Sequence, residues 1–132
     1  MLIKLSSRDV TAMGIVSVRI KTNVLLCEYA RSQADREHGL MDRRYLPANR
    51  GMIFDTFSRY RPVFHMKNVY LPLESVFIGN DNKIVDIIPM IPLDASTIYT
   101  TTKNIPIKWV MEVNRYYCSQ HGIKLNDTVF LD

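Results

Sequence analysis

The sequence predicts a mainly β, α+β fold: a small closed or partly closed mixed-β barrel with two short helices. Three observations predict it. Six or seven short apolar segments have strand character, several with period-two alternation. Two short stretches are instead opened by a capping residue and closed by glycine. The chain, at 132 residues, has room for one domain, taken as residues 1–132. A domain of this size buries roughly two thirds of its extended-chain surface, enough for a core without disulfides or structural metal.

Val16 to Ile20 alternates and reads as a half-buried strand, and the run from Val24 to Ala30 follows after a Lys-Thr-Asn break, as in a hairpin. Ser32 is placed to cap a short helix, with Asp35 at the third helical position and Gly39 as its stop. Residues 41–50 are a charged connection, and Gly51 opens a strand through Phe57. A turn at Ser58 to Pro62 precedes an alternating segment that sets Val63, His65 and Lys67 on one face and Phe64 and Met66 on the other. After Pro72, a strand from Leu73 to Ile78 runs into Gly79-Asn80-Asp81-Asn82, whose residues tolerate positive φ and mark a hairpin. The returning strand, Lys83 to Ile88, is ended by Pro89 and Pro92. A Thr-rich irregular stretch then leads to a strand from Ile107 to Val113. Asn114 is expected to cap the second helix, which stops at Gly122, and Thr128 to Leu131 is the last strand. Methionines 41, 52, 66, 90 and 111 read as core filler.

Composition excludes several classes. Hydrophobic residues at 47% and charged residues at 23% exclude wholesale disorder. No apolar run has the length of a membrane-spanning helix, so no membrane partner is expected, and the amino-terminal residues lack a leader's apolar centre. Cys27 and Cys118, ninety positions apart, form neither a metal spacing nor a dithiol motif, and a reduced, cytoplasmic setting is expected. His38, His65 and His121 are scattered, so no metal is expected. The glycines are isolated, which excludes a phosphate-cradling loop, and no cofactor is expected. The net charge of +4 is uneven, with nine of the ten arginines in the first 66 residues. Arginine suits anionic groups. Without a dense basic block, however, the simpler expectation is a solvated basic face, and nucleic acid is not expected as a partner.

By residues 39–74 the order and spacing of several blocks are specific. Gly39-Leu40-Met41 with Arg43, Gly51-Met52-Ile53-Phe54, Met66-Lys67-Asn68, Leu71-Pro72-Leu73, Phe77-Ile78, Val110-Met111-Glu112 and the closing Asp127-Thr128-Val129 resemble the small β-barrel family known as domain of unknown function 192, over about residues 14–131. The resemblance implies a compact, mostly β fold and no established activity, substrate or cofactor. This chain departs from the family pattern in places. His65 stands where the family usually has Trp, and Glu74 stands where it has Asp. A common glycine is replaced around Tyr116, and Asn126 replaces the glycine of a late Gly-Asp.

Arg43, Lys67, Asn68 and Glu74 match the polar part of that pattern, and together they are the candidate ligand-binding residues. The two cations would hold an anionic group, Asn68 would orient it and Glu74 would accept a hydrogen bond. The plainer alternative is that Lys67–Glu74, and Arg43 with a nearby acid, are fold-stabilising pairs, with Asn68 shaping the turn. Glu74 and Glu112 are the only candidates for paired-carboxylate catalysis. The expected function is a soluble, non-catalytic binding or accessory module, monomeric or dimeric, for a small ligand, a peptide or a protein partner. A small hydrolase-like enzyme using Glu74 and Glu112 is one alternative, and a basic nucleic-acid accessory protein is another.

Overall fold

The computed structural model describes residues 13–132, and the amino-terminal residues read for a leader, Arg8 among them, lie outside these. Strands β1 (Ile15–Ile20) and β2 (Asn23–Ala30) form the expected hairpin, pairing Ile20 with Asn23 and Ile15 with Glu28. Helix α1 (Gln33–His38) starts where Ser32 accepts a hydrogen bond from Asp35 N at 3.1 Å. It stops where Gly39, at φ 52°, donates to Asp35 O. Parallel pairing of β2 with β3 (Arg50–Tyr60) needs a crossover, and α1 with the 40–49 connection supplies it. Strands β4 (Leu73–Gly79) and β5 (Ile84–Met90) are the second hairpin. β6 (Pro106–Asn114), helix α2 (Tyr117–Gln120) and β7 (Val129–Leu131) complete the chain.

The seven strands form one mixed sheet in the order β5-β4-β6-β3-β2-β1-β7. The sheet curls until its two outermost strands nearly meet. Lys83 and Thr128 form a bridge, Ile84 N donates to Asp127 O at 3.0 Å, and Val129 N donates to Asn82 O at 2.7 Å. The barrel is thus partly closed, joined at the start of β5 and β7. A single buried cluster on the inner face takes Val18, Leu25, Ile53, Val76, Ile84, Met111 and Val129, one from each strand, and α2 plugs it with Tyr117 and Cys118. The outer face of β3, β4 and β6 carries a second layer, including Met52, Phe54 and Leu73, covered by the crossover and by residues 62–71 and 91–101. Four of the five methionines expected as filler, Met52, Met66, Met90 and Met111, are fully or almost fully buried.

Three local expectations need correction. Residues 63–67 keep the alternating exposure but form no strand. Phe64 alone bridges, to Tyr99, because its neighbours lie across the outer layer and away from any free sheet edge. Of the turn expected at Ser58 to Pro62, Ser58 to Tyr60 are absorbed into β3. Between the pairs Asp55–Trp109 and Arg59–Ile107, β3 spends four steps where β6 spends two, and Phe57 and Ser58 take φ of 52° and 59°. Asn114 does not cap α2. It ends β6 and donates its side-chain amide to Leu46 O at 2.8 Å, which ties down the crossover. The first residue of α2 follows Tyr116, at φ 74°, which offers no side-chain cap.

Candidate functional site

On β6, alternation sends Met111 and Val113 inward and Glu112 outward, between Met52 of β3 and Ser75 of β4. Glu112 is therefore a carboxyl in an apolar layer. It is 5% exposed, and among the described residues nothing donates to it or pairs with it. Ser75, its cross-strand neighbour, spends its hydroxyl on Ile88 O. Burial alone pushes the Glu112 carboxyl from 4.5 up to about 8, so it holds its proton at neutral pH.

Glu112 is not sealed off. It forms part of the lining of a cleft of about 550 Å³. One wall is the carboxyl end of α1 with Gly39, Leu40 and Met41. The rest of the lining comes from the β3 bulge, which leads into Arg59 to Pro62, and from Val63, Phe64 and His65. Phe54 and Phe64 meet edge to face at 5.2 Å, and both lie on the apolar wall. Thr56 donates to Ile107 O across the bulge. Asp55 accepts from Phe57 N at 3.0 Å and from the Tyr29 hydroxyl, which in turn accepts from Trp109 Nε1. The rim is basic: Arg36, Arg59 and Arg61, with His38 and His65, against Glu37 and Asp55.

The four candidate ligand residues read from the sequence are not gathered in this cleft. Arg43 forms a two-pronged ion pair with Glu28, its Nη2 donating to Oε2 at 2.8 Å. Lys67 is exposed, and its backbone N donates to His65 Nδ1 at 3.3 Å. Asn68 sits at φ 59° and accepts Asp42 N through its carbonyl, so the 41–43 stretch does lie over the 66–68 turn. Glu74 faces the other way. Its carboxylate accepts from Tyr116 N at 3.1 Å, Cys118 N at 2.9 Å and Arg115 Nη1 at 3.3 Å, and so supplies the missing cap of α2. Because Glu74 pairs with Val113 and Ser75 with Glu112, the two glutamates lie on opposite faces of the sheet. Paired-carboxylate chemistry through them lacks the shared cleft it requires.

Of the residues that build the cleft, Thr56 was not singled out from the sequence, Arg59 and Arg61 entered only within the arginine-rich half, and His38 only among the scattered histidines. A run of Arg-Tyr-Arg after an apolar strand gave no chemical signal, because its place depends on the bulge. Residues of the pattern blocks do line the cleft, namely Gly39, Leu40, Met41, Phe54 and Glu112, with His65 in place of the usual Trp, although the site expected from the sequence is Arg43, Lys67, Asn68 and Glu74. No group of three or more His, Cys, Asp or Glu placed to hold a metal ion occurs among the described residues. No helix among them is long and apolar enough to cross a membrane.

A search of the curated proteins returned no match. Similar solved structures include the following two. One, from Sinorhizobium meliloti 1021, is described as a candidate transcription regulator. It is 29% identical with a TM-score of 0.84, over 92% of this chain and 96% of that one. The other, a protein of unknown function from Novosphingobium aromaticivorans DSM 12444, is 30% identical with a TM-score of 0.77, over 89% of this chain and 84% of that one. The family model DUF192, described as "Uncharacterized ACR", matches residues 16–131, and the chain therefore belongs to the DUF192 family.

Proposed function

We propose that this protein is a non-catalytic binding module that takes a small ligand in the cleft over Glu112. The observation that carries the reading is an unpartnered, buried carboxyl on the floor of a cleft large enough for a metabolite-sized molecule. A carboxyl in an apolar layer costs stability unless something bonds it, and no group among the described residues does. A ligand there would meet the aromatic surface of Phe54 and Phe64 together with the Glu112 carboxyl. This is the usual anatomy of a small-molecule site. A hydrolase reading has less support, because among the described residues no second acid, base or nucleophile is bonded to Glu112. The nucleic-acid reading, for which the Sinorhizobium relative's description is a reason to ask, also has less support. Arg19, Arg31, Arg36, Arg44 and Arg115 are held over aromatic rings on separate elements, and Arg43 is held by Glu28.

The test is a fragment screen by nitrogen-15 NMR on the full chain. Binding fragments should shift the amides of Leu40, Val63, Phe64 and His65 together. The exposed cleft-wall variant Val63→Trp should abolish those shifts while leaving the spectrum folded. Fragments that bind only elsewhere, or shifts that survive Val63→Trp unchanged, would refute the reading.

A further inference from the structure

The charges around the cleft are not equally available. Glu37 accepts from Gln33 Nε2 at 2.8 Å, and Asp55 is held by Tyr29 and Phe57. Arg36 donates to Arg31 O and lies over Phe57, and Arg61 donates to Thr102 O at 3.3 Å. Arg59 is exposed, and among the described residues its guanidinium has no partner at all. The uncommitted charge at the rim is thus a cation with a planar fork. The uncommitted group on the floor is a carboxyl, and the Phe54 and Phe64 rings line the same cleft.

Resting on the reading of the cleft as a small-molecule site, we infer that its ligand is a small organic anion with a hydrogen-bond acceptor at its far end. Arg59 grips the anionic group, and the Glu112 carboxyl donates to the acceptor. A guanidinium fork matches a carboxylate or a phosphate monoester, and the two share this chemistry. The floor favours an acceptor over an amine for an electrostatic reason. An amine would need Glu112 ionised in an apolar layer, and it would have to pass three arginines to reach it. A neutral carboxyl instead satisfies a carbonyl without burying net charge. Phe54 and Phe64 in the same lining suit a flat or aliphatic body.

Four probes of one shape test this by calorimetry on the full chain: 4-acetylbenzoate, 4-acetylphenyl phosphate, acetophenone and 4-acetylbenzylamine. Both anions should bind at least about tenfold more tightly than the neutral and cationic probes. Arg59→Ala, on an exposed side chain, should erase that preference. Glu112→Gln keeps a neutral donor and should stay within about threefold of the parent, whereas Glu112→Met should weaken the anions about tenfold. Whichever anion binds more tightly names the head group. If the amine or the neutral probe binds as well as the anions, or Arg59→Ala leaves the preference intact, the ligand class is wrong while the cleft remains a small-molecule site. If none of the four binds and the fragment screen is also empty, both ideas fall.

Discussion

Glu112→Gln should make the protein more stable at neutral pH, and by an amount that depends on pH in a defined way. The unfolded carboxyl loses its proton near 4.5, whereas burial delays that loss in the folded chain to about 8. Between those values the unfolded state binds fewer protons than the folded one, so stability falls as pH rises, by about 1.4 kcal/mol per pH unit. Below 4.5 both states are protonated, and above 8 both are ionised, so the contribution is flat at each end. Integration gives a penalty of roughly 3 kcal/mol at pH 7 and about 5 kcal/mol above pH 8. Glutamine has nearly the same shape and stays neutral throughout. Urea denaturation of both proteins at pH 4.5, 6, 7 and 8.5 gives the difference between them. Taking the difference cancels the other groups at the cleft, among them His38, His65, Glu37, Asp55, Arg36, Arg59 and Arg61. A difference that is the same at pH 4.5 and pH 8.5 would show that Glu112 ionises normally, and the argument from its burial would be wrong.

Three further outcomes follow from other contacts. Glu74→Ala leaves Tyr116 N and Cys118 N without their acceptor and should cost about 2–4 kcal/mol in urea denaturation, whereas a loss under 0.5 kcal/mol would mean that water replaces the cap. A Cβ at Gly51 would stand 2.7 Å from Glu112 O, which is backbone and has no room to retreat. Gly51→Ala should therefore cost about 1–3 kcal/mol, and a neutral result would show the β3–β6 spacing to be looser than described. Burial pushes the Cys27 thiol up to about 12 and raises that of Cys118 also, and both are free and enclosed. The native protein should react with no thiol reagent within an hour at pH 8, and unfolded protein with two equivalents. Rapid native labelling would contradict their enclosure.

The strands were legible because β sequences carry their period locally. Val16 to Ile20, Leu73 to Ile78 and Ile107 to Val113 each fall on an observed strand, and Gly79 to Asn82 on a tight turn. Helix α1 was legible to its caps, since Ser32 and Gly39 act through bonds within a few residues. The α2 cap was not, because its acceptor, Glu74, comes from a strand more than forty residues earlier. The candidate site divides the same way. Glu112 was visible as an acid in an apolar strand, but its separation from Glu74 depends on the register of β4 against β6. Arg59 became a rim residue through two extra residues in β3, and the bulge that holds them carries no glycine to announce it. Charge and polarity are properties of residues, whereas convergence is a property of register, and only the former is written locally.

The departures from the family pattern make one last case that can be weighed in numbers. Two of them put a side chain where the pattern has glycine, and both land in the left-handed region: Tyr116 at φ 74° and Asn126 at φ 74°. The strain is unequal. A tyrosine there brings its Cβ against the backbone at a cost of about 1–2 kcal/mol, while asparagine is among the residues that tolerate the conformation. Restoring glycine also has a cost, about 0.5–1 kcal/mol from the greater freedom of the unfolded chain. Tyr116 is 56% exposed, and its main contact is Arg115 lying 4.1 Å over its ring, a surface interaction of about 0.5–1 kcal/mol. For Asn126→Gly only the entropic cost remains, so the protein should lose a few tenths of a kcal/mol or more. For Tyr116→Gly the relief of strain offsets both losses, and the change should come out near zero. The informative quantity is the comparison with Tyr116→Ala, which removes the ring and keeps the strain. Glycine should be more stable than alanine at 116 by about 0.5–1 kcal/mol, the reverse of their order at ordinary positions. Should alanine prove the more stable, Tyr116 does not occupy the left-handed region in solution, and the turn that presents Tyr116 N and Cys118 N to Glu74 would have to be drawn differently.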